Sequence, residues 1–584
     1  MKRAGGGIAL LLFGALLLIP GLGRMGAMDS TDARYLAISR EMWATGDWLM
    51  PRLAGVPHLD KPPLTYWAAS LGYTIFGPTE FGGRIAMQFA LLGTAFLVYR
   101  AARRFADLRM AQGAWPAGSS PRRAQSAWPA GSSEWSLPAA FVFLTMLLPF
   151  ALSRGLATDL FQLLFVSAAL IALFDGATQR SAARVATAGA LLGVTMLIKG
   201  PIALLVVATV WLVLALCVRR RAALPLRGVA LGAALFAAIG VPWVALLAYR
   251  NPTILDWFLE VQLASRVTGT DRGHLKDATY LLRIWVLGLL PWTPIVALAF
   301  ARLRPRGRLR DADFTDVFVL AWAIVPVLLF SLFPTKLGSY IAPAFPGAAL
   351  AVARAGARGL LDDRRARRTL AASGVLAITA AIVAGVGLVG ESRFGFDLVP
   401  SLALQHSDAA PAFGALLLAA GVLGIFALRR SLAASTAHAF AATAIGSGLV
   451  LFLAFHGVAD SLPTLREQGR IVRSVPGARL IEFALKPSLF FYADTGDNVL
   501  LAAVGGVVAP FVDADTARRL TLTRDDAVAL LREDAPTFAL IGAEKAEALS
   551  RDARLEVVSR SRRYALLANP AATRALAANP TRSP

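Results

Sequence analysis

Cysteine is almost missing from this chain: one residue, Cys217, stands inside a hydrophobic run. An intramolecular disulfide is therefore impossible, and cysteine usage says nothing about the redox compartment. Charge is scarce too, at 16% of residues against 56% hydrophobic, with a mean hydropathy of +0.59. No soluble domain of 584 residues needs that much apolar surface, so the composition predicts a polytopic membrane protein. Acid is the scarcer sign, 37 Asp and Glu against 59 Lys and Arg, for a net charge of +22. That surplus is not gathered on one folded domain, as a nucleic-acid surface would require. It falls in short clusters between hydrophobic runs, which is the signature of membrane topology, and no nucleic-acid partner is expected.

Long apolar runs are what the chain does have. A bilayer core of about 30 Å needs roughly 20 helical residues, and candidate spans lie near 6–23, 82–100, 137–152, 156–175, 184–198, 200–218, 228–249, 279–300, 315–334, 338–354, 369–390, 410–428 and 439–458. The first has the basic start and apolar centre of a secretory signal, but no convincing A-x-A site follows it and further spans do, so it reads as an uncleaved helix. With the N-terminus in the cytoplasm, one set of alternate loops holds Lys2 and Arg3, Arg100 to Arg123, Arg180 and Arg184, and the runs at 219–221, 302–310, 364–368 and 429–430. The other set carries mixed charge, and the positive-inside rule separates the two without exception. Thirteen spans place everything after residue 458 outside.

Two segments are not spans. Residues 109–136 repeat "AQGAWPAGSS" as "AQSAWPAGSS" and read as a low-complexity cytoplasmic loop. From 459 the apolar runs shorten to strand length ("ARLIEFAL", "SLFFYAD", "NVLLA", "TFALIGA", "LEVVSRSRRYALLAN") around a helical "TRDDAVALLRED", predicting a small soluble α/β domain over 459–584.

The first outer loop, 24–80, is dense in polar chemistry. Ser30 or Thr31 can cap a helix over about 31–45 with Asp32 in its first turn, where the helix dipole favours a carboxylate. Pro62 and Pro63 fix the turn that carries Asp60 and Lys61, and "LTYWAASLGYTIFG" suits an interfacial helix. Topology sends Asp159, Lys199, Arg266, His274, Lys336 and Tyr340 to this same face, each at or just inside a span end or in an outer loop. Taken singly, snorkelling accounts for either lysine, a loop position for His274 and a surface ion pair for Asp60 and Lys61. Together, carboxylates, cations and a tyrosine at one membrane boundary suit lipid-linked phosphate chemistry, with cations holding phosphate and a carboxylate accepting a proton or holding a metal.

At these residues the chain resembles bacterial inner-membrane glycosyltransferases of the GT-C fold, in particular the lipid A aminoarabinose transferases within the protein O-mannosyltransferase superfamily. The resemblance rests on an ordered series: Asp32, Arg34 and Tyr35, "ISREM" at 38–42, "GDW" at 46–48, "DKPP" at 60–63, "KGP" at 199–201, "VPW" at 241–243, Arg266 with His274, "LPW" at 290–292 and "TKLGSYIAPAFP" at 335–346. It covers most of residues 20–350. The resemblance implies a transmembrane domain over 1–458, a polyprenyl-phosphate sugar donor of the undecaprenyl type, and a lipid or glycan acceptor such as lipid A met on the periplasmic side. It implies Asp32 and Asp60 as the catalytic pair, with a divalent metal at those two carboxylates as the one cofactor considered. Arg34, Tyr35, Lys61, Asp159, Lys199, Arg266, His274, Lys336 and Tyr340 are the implied substrate-binding residues. One departure stands out: the first acid of the family's pair falls on Thr31 and the second on Asp32. Should Asp32 not carry the reaction, Asp159 is the next carboxylate to consider. A flippase for a polyprenyl-linked glycan would need polar residues through the whole membrane thickness, whereas here they collect at one face. A non-catalytic scaffold is the remaining alternative.

Overall fold

In a computed structural model the chain is a helical bundle with a small mixed sheet near its C-terminus. The structure describes residues 2–29, 31–111, 132–250, 252–253, 275–394, 409–433, 436–460, 462–494, 498–502, 518 and 522–578. Among these, seven helices are long and apolar enough to cross a membrane, and up to nine if each of two bent pairs counts as one span. The bent pairs are Leu226–Gly240 with Pro242–Arg250, at 42°, and Tyr280–Gly288 with Thr293–Leu303, at 106°. Proline explains both breaks, because it cannot donate to the preceding turn: Pro242 starts one second half, and Pro291 lies inside the other turn. The four remaining expected spans are helical but short or interrupted: Lys2–Leu18, Ser136–Leu144 with Leu147–Leu152, Ile202–Val218, and Phe345–Ala357 after a 3-10 turn.

The first loop folds as its pattern predicts. A helix runs over Thr31–Thr45, Gly46 follows at φ +71°, and a surface helix occupies Leu64–Phe76. Between them β1 (Arg52–Leu53) and β2 (Val56–Pro57) form a two-stranded hairpin. The surface helix keeps Tyr66, Ala69 and Tyr73 buried and exposes Leu71, Ile75 and Phe76, as a helix lying in an interface does.

Near the C-terminus, β3 (Arg479–Glu482), β4 (Val499–Leu501), β5 (Thr537–Gly542), β6 (Glu556–Arg560) and β7 (Tyr564–Ala568) form one sheet in the order β4-β3-β5-β7-β6. β3 pairs in parallel with β4 and β5, and the β6–β7 hairpin is antiparallel. Period-two alternation decides its two faces. Leu480, Phe538, Leu540 and Leu566 join the core that runs on into the bundle, while Ile481, Ala539, Ile541 and Leu567 pack on Ala527, Leu531 and Leu549. One expected strand is a helix: "SLFFYAD" lies in Pro487–Ala493, with Pro487 in the first turn and Asp494 closing it in the left-handed region. Proline at N1 is already shaped for a helix start, and that outweighs the β-propensity of the phenylalanines. The helix Arg524–Leu531 begins, as its sequence suggests, with a capping box between Thr523 and Asp526.

This region is bolted to the first loop. Tyr492 Oη accepts the Ala27 N–H at 2.6 Å and donates to Glu80 Oε1 at 2.7 Å. Arg466 reaches the same carboxylate at 2.6 Å, Arg40 of the loop helix pairs with Asp494 at 2.5 Å, and Asp29 accepts the Ser488 N–H at 2.9 Å.

Glu482, at the end of β3, has no exposed surface; its Oε2 accepts the Lys486 N–H at 2.8 Å and its Oε1 has no partner. Burial pushes its carboxyl well above the usual range; the Lys486 N–H opposes this and the nearby Asp29 charge adds to it. A raised folded pKa means that the folded chain keeps a proton the unfolded chain releases. The associated stability is complete below the unfolded pKa of about 4.3 and is lost as pH rises toward the folded value. Glu482→Gln should therefore raise the melting temperature more at pH 8 than at pH 5; an equal difference at both would contradict this account.

Candidate active site

The loop helix brings Asp32 into the protein rather than to a cavity mouth. Its side chain is 5% exposed. Oδ1 accepts Arg84 Nε at 3.1 Å and the Leu156 N–H at 2.7 Å; Oδ2 accepts the other arm of Arg84 at 2.5 Å and the Met28 N–H at 3.2 Å. Four donors use up the carboxylate's accepting capacity. In this arrangement every accepting position of Asp32 is taken, by partners that its own stretch of sequence does not announce.

Asp60 and Lys61 sit together on their proline-fixed turn. Lys61 Nζ lies 2.9 Å from Asp60 Oδ1 and 2.8 Å from the Asp60 carbonyl, and Lys61 is buried. Beside them, burial lowers the His58 imidazole to about 4; the Asp60 charge opposes that shift, while Arg34 and Lys61 reinforce it. His58 is thus neutral near pH 7, and its Nε2 is buried without a hydrogen-bond partner.

A second acid–lysine pair comes from the bundle. Asp159 opens the helix Asp159–Thr178 and Lys199 closes Ala182–Lys199, each at the helix end whose partial charge suits it. Lys199 Nζ is 2.7 Å from Asp159 Oδ1 and 4.7 Å from the centroid of the Tyr340 ring, within cation–π range. Tyr35 comes from the loop helix. It is buried and meets Tyr66 edge-on with centroids 5.3 Å apart. Burial first, then Tyr66, Asp60 and Asp159, push its phenol well above the usual range, with the Arg34 charge opposing them.

Two further expected residues are described. Lys336 is buried and donates to the Lys276 carbonyl at 2.9 Å, beside a bridge between Leu275 and Thr335. Arg34 is half-buried, and its charge bears on Tyr35, Tyr66 and His58. Arg266 and His274 lie outside the described residues. Among the described residues no three His, Cys, Asp or Glu side chains converge as a metal set. With Asp32 held by Arg84 and Asp60 facing Lys61, these two carboxylates do not fit a divalent ion.

Sequence reasoning missed Arg84 and His58. Arg84 could have been noticed, since an arginine four residues into an apolar span is costly without a partner. His58 carries no pattern of its own and is marked only by its distance of two residues from Asp60.

No family model matches the chain. Relatives do. It is 30% identical over 407 residues, 67% of either chain, to "Undecaprenyl phosphate-alpha-4-amino-4-deoxy-L-arabinose arabinosyl transferase 1" of Sodalis glossinidius (strain morsitans). It is 29% identical over 408 residues, 68% of either chain, to "Undecaprenyl phosphate-alpha-4-amino-4-deoxy-L-arabinose arabinosyl transferase" of Edwardsiella ictaluri (strain 93-146). Two crystal structures of ArnT from Cupriavidus metallidurans share the fold. The one bound to undecaprenyl phosphate has a TM-score of 0.72 at 23% identity, covering 97% of this chain and 98% of that one. The apo structure has a TM-score of 0.74 at 22% identity, covering 98% and 99%. The order of motifs, the GT-C bundle and the extent of these matches agree: the chain belongs to the family of undecaprenyl phosphate-alpha-4-amino-4-deoxy-L-arabinose arabinosyl transferases.

Proposed function

We propose that this membrane-embedded glycosyltransferase moves 4-amino-4-deoxy-L-arabinose from undecaprenyl phosphate to a lipid acceptor of the lipid A type, at the periplasmic face of the inner membrane. The observation that carries the site reading is the pair of acid–lysine couples, Asp60–Lys61 and Asp159–Lys199, the second with its ammonium over the Tyr340 ring.

In this reading Lys61, Lys199 and Arg34 hold the donor phosphate, each lysine turning from its carboxylate to the more highly charged ligand, and Lys336 and Tyr340 close the site. The acceptor oxygen forms its bond to the sugar C1 as the bond between C1 and the phosphate oxygen breaks, with inversion. The electron pair leaves on undecaprenyl phosphate, where the cations stabilise it. For a hydroxyl acceptor, the proton passes to Asp159, freed by Lys199, while Asp60 orients Lys61. The N-terminus is placed inside and the domain from about 459 outside, so reporters fused after Arg221 and after Pro584 should give opposite-side signals. Signals from one side would overturn this orientation.

Purified protein in nanodiscs, given undecaprenyl-phosphate aminoarabinose and lipid A, should yield a product heavier by one aminoarabinose; no mass shift with this pair would reject the substrate assignment. Removing a charge-assisted hydrogen bond from a buried site costs about 1.5–3 kcal/mol, roughly ten- to hundredfold. Lys61→Ala and Lys336→Ala should weaken donor use by that factor, and Lys545→Ala, at an exposed position, should not. Equal effects at all three would demote Lys61 and Lys336 to structural cations.

A further inference from the structure

We propose that the buried Asp32–Arg84 pair is a positioning device that fixes the turn bearing Asp159, and so sets where that carboxylate meets Lys199. The inference rests on the reading of Asp159 as a member of the site. The path is short: Asp32 Oδ1 holds the Leu156 N–H at 2.7 Å, and Asp159 follows Leu156 by three residues. Asp32 cannot drift, because Arg84 is itself held. It has no exposed surface, and it donates to the carbonyls of Leu22, Met25 and Gly26 as well as to Asp32. Moving the carboxylate would strip donors from several buried groups at once, each costly to leave unpaired.

The turn has a second anchor on its other side. Gln88 Nε2 donates to the Ser153 carbonyl at 2.6 Å. Arg154 donates to Leu18 O at 3.0 Å and to Gln88 Oε1 at 3.1 Å, with its guanidinium 4.7 Å from the Phe150 ring centroid and 4.9 Å from that of Phe455. Between these anchors Gly155 lies directly against Asp32: a Cβ there would meet Oδ1 at 3.3 Å and Cγ at 3.4 Å. A methyl group at 155 would therefore push turn and carboxylate apart by a few tenths of an ångström without changing any charge.

That close fit supplies the test. Donor KM, kcat and its pH profile, melting temperature and amide exchange at Leu156 would be measured for Gly155→Ala, Asp32→Asn and Asp159→Asn. Misplacing a reacting group by about 1 Å costs on the order of a hundredfold, so Gly155→Ala should lower kcat about tenfold or more, leave donor KM unchanged and speed Leu156 exchange. Asp32→Asn should lower kcat while keeping the shape of its pH profile. Full kcat in both, with Asp159→Asn inactive, would overturn the coupling and leave the site reading standing. A pH limb missing in Asp32→Asn would also overturn it, by making Asp32 a group that exchanges protons with substrate. An active Asp159→Asn would remove the site reading and the coupling with it. Should Asp32→Asn fail to fold, Gly155→Ala decides alone.

Discussion

Asp159→Asn should reduce transfer at least a hundredfold while the protein still binds its donor. An amide keeps the shape of the carboxylate and its hydrogen bond with Lys199, but it neither accepts the acceptor's proton nor offsets the ammonium. General-base assistance is worth about 10²–10⁴ in rate, and that is the range expected here. Stability must be separated from chemistry, because both partners are largely buried, at 10% and 11% side-chain exposure. Removing one member of such a pair leaves the other uncompensated, at about 3–5 kcal/mol, whereas removing both is often close to neutral. The double variant Asp159→Asn with Lys199→Met should therefore recover the melting temperature of the parent and none of its activity. Recovery of both would reduce the pair to a structural ion bridge.

The second large effect concerns folding. Arg84→Met should destabilise the protein by about 3–5 kcal/mol, since it leaves Asp32 buried without its countercharge. The carbonyls of Leu22, Met25 and Gly26 lose their shared donor in the same step. Thermal unfolding in detergent, compared with Asp47→Asn, measures the difference. Asp47 caps a turn by accepting the Leu49 and Met50 N–H groups at 3.1 and 3.2 Å, with its side chain 38% exposed. An amide oxygen can still accept both bonds, and an exposed ion pair such as that with Arg52 is worth about 0–1 kcal/mol. Equal melting temperatures for the two variants would mean that the Arg84 network contributes nothing to the fold.

The sequence was readable where one local cause acts alone. Gly46 ends the loop helix, apolar length marks the spans, and short apolar runs mark β5 and β7. The proline-fixed turn at Asp60 and the span ends at Asp159 and Lys199 were also legible, because topology alone sends them to one face. Legibility failed where a long-range partner decides the outcome. Nothing near Asp32 announces Arg84, 52 residues away, and an isolated acid at a helix start looks the same whether it faces solvent or a buried guanidinium. "SLFFYAD" has strand composition, yet it folds as the helix that presses Phe491 and Tyr492 toward the first loop. The breaks at Pro242 and Pro291 could have been foreseen from the residue type, but the angle of each depends on the helices packed around it.

The seam between the C-terminal fold and the first loop has a consequence for exchanging parts among relatives. Glu80 is the meeting point: Arg466 and Tyr492 converge on a residue that begins a membrane helix. Arg40 and Asp29 complete the seam from the first loop itself. A chimera that imports a foreign C-terminal fold would bring its own matching surface and meet the wrong one. The unit that can be exchanged is then not the last hundred or so residues but two separated stretches, the first loop and the C-terminal fold, that have to change together.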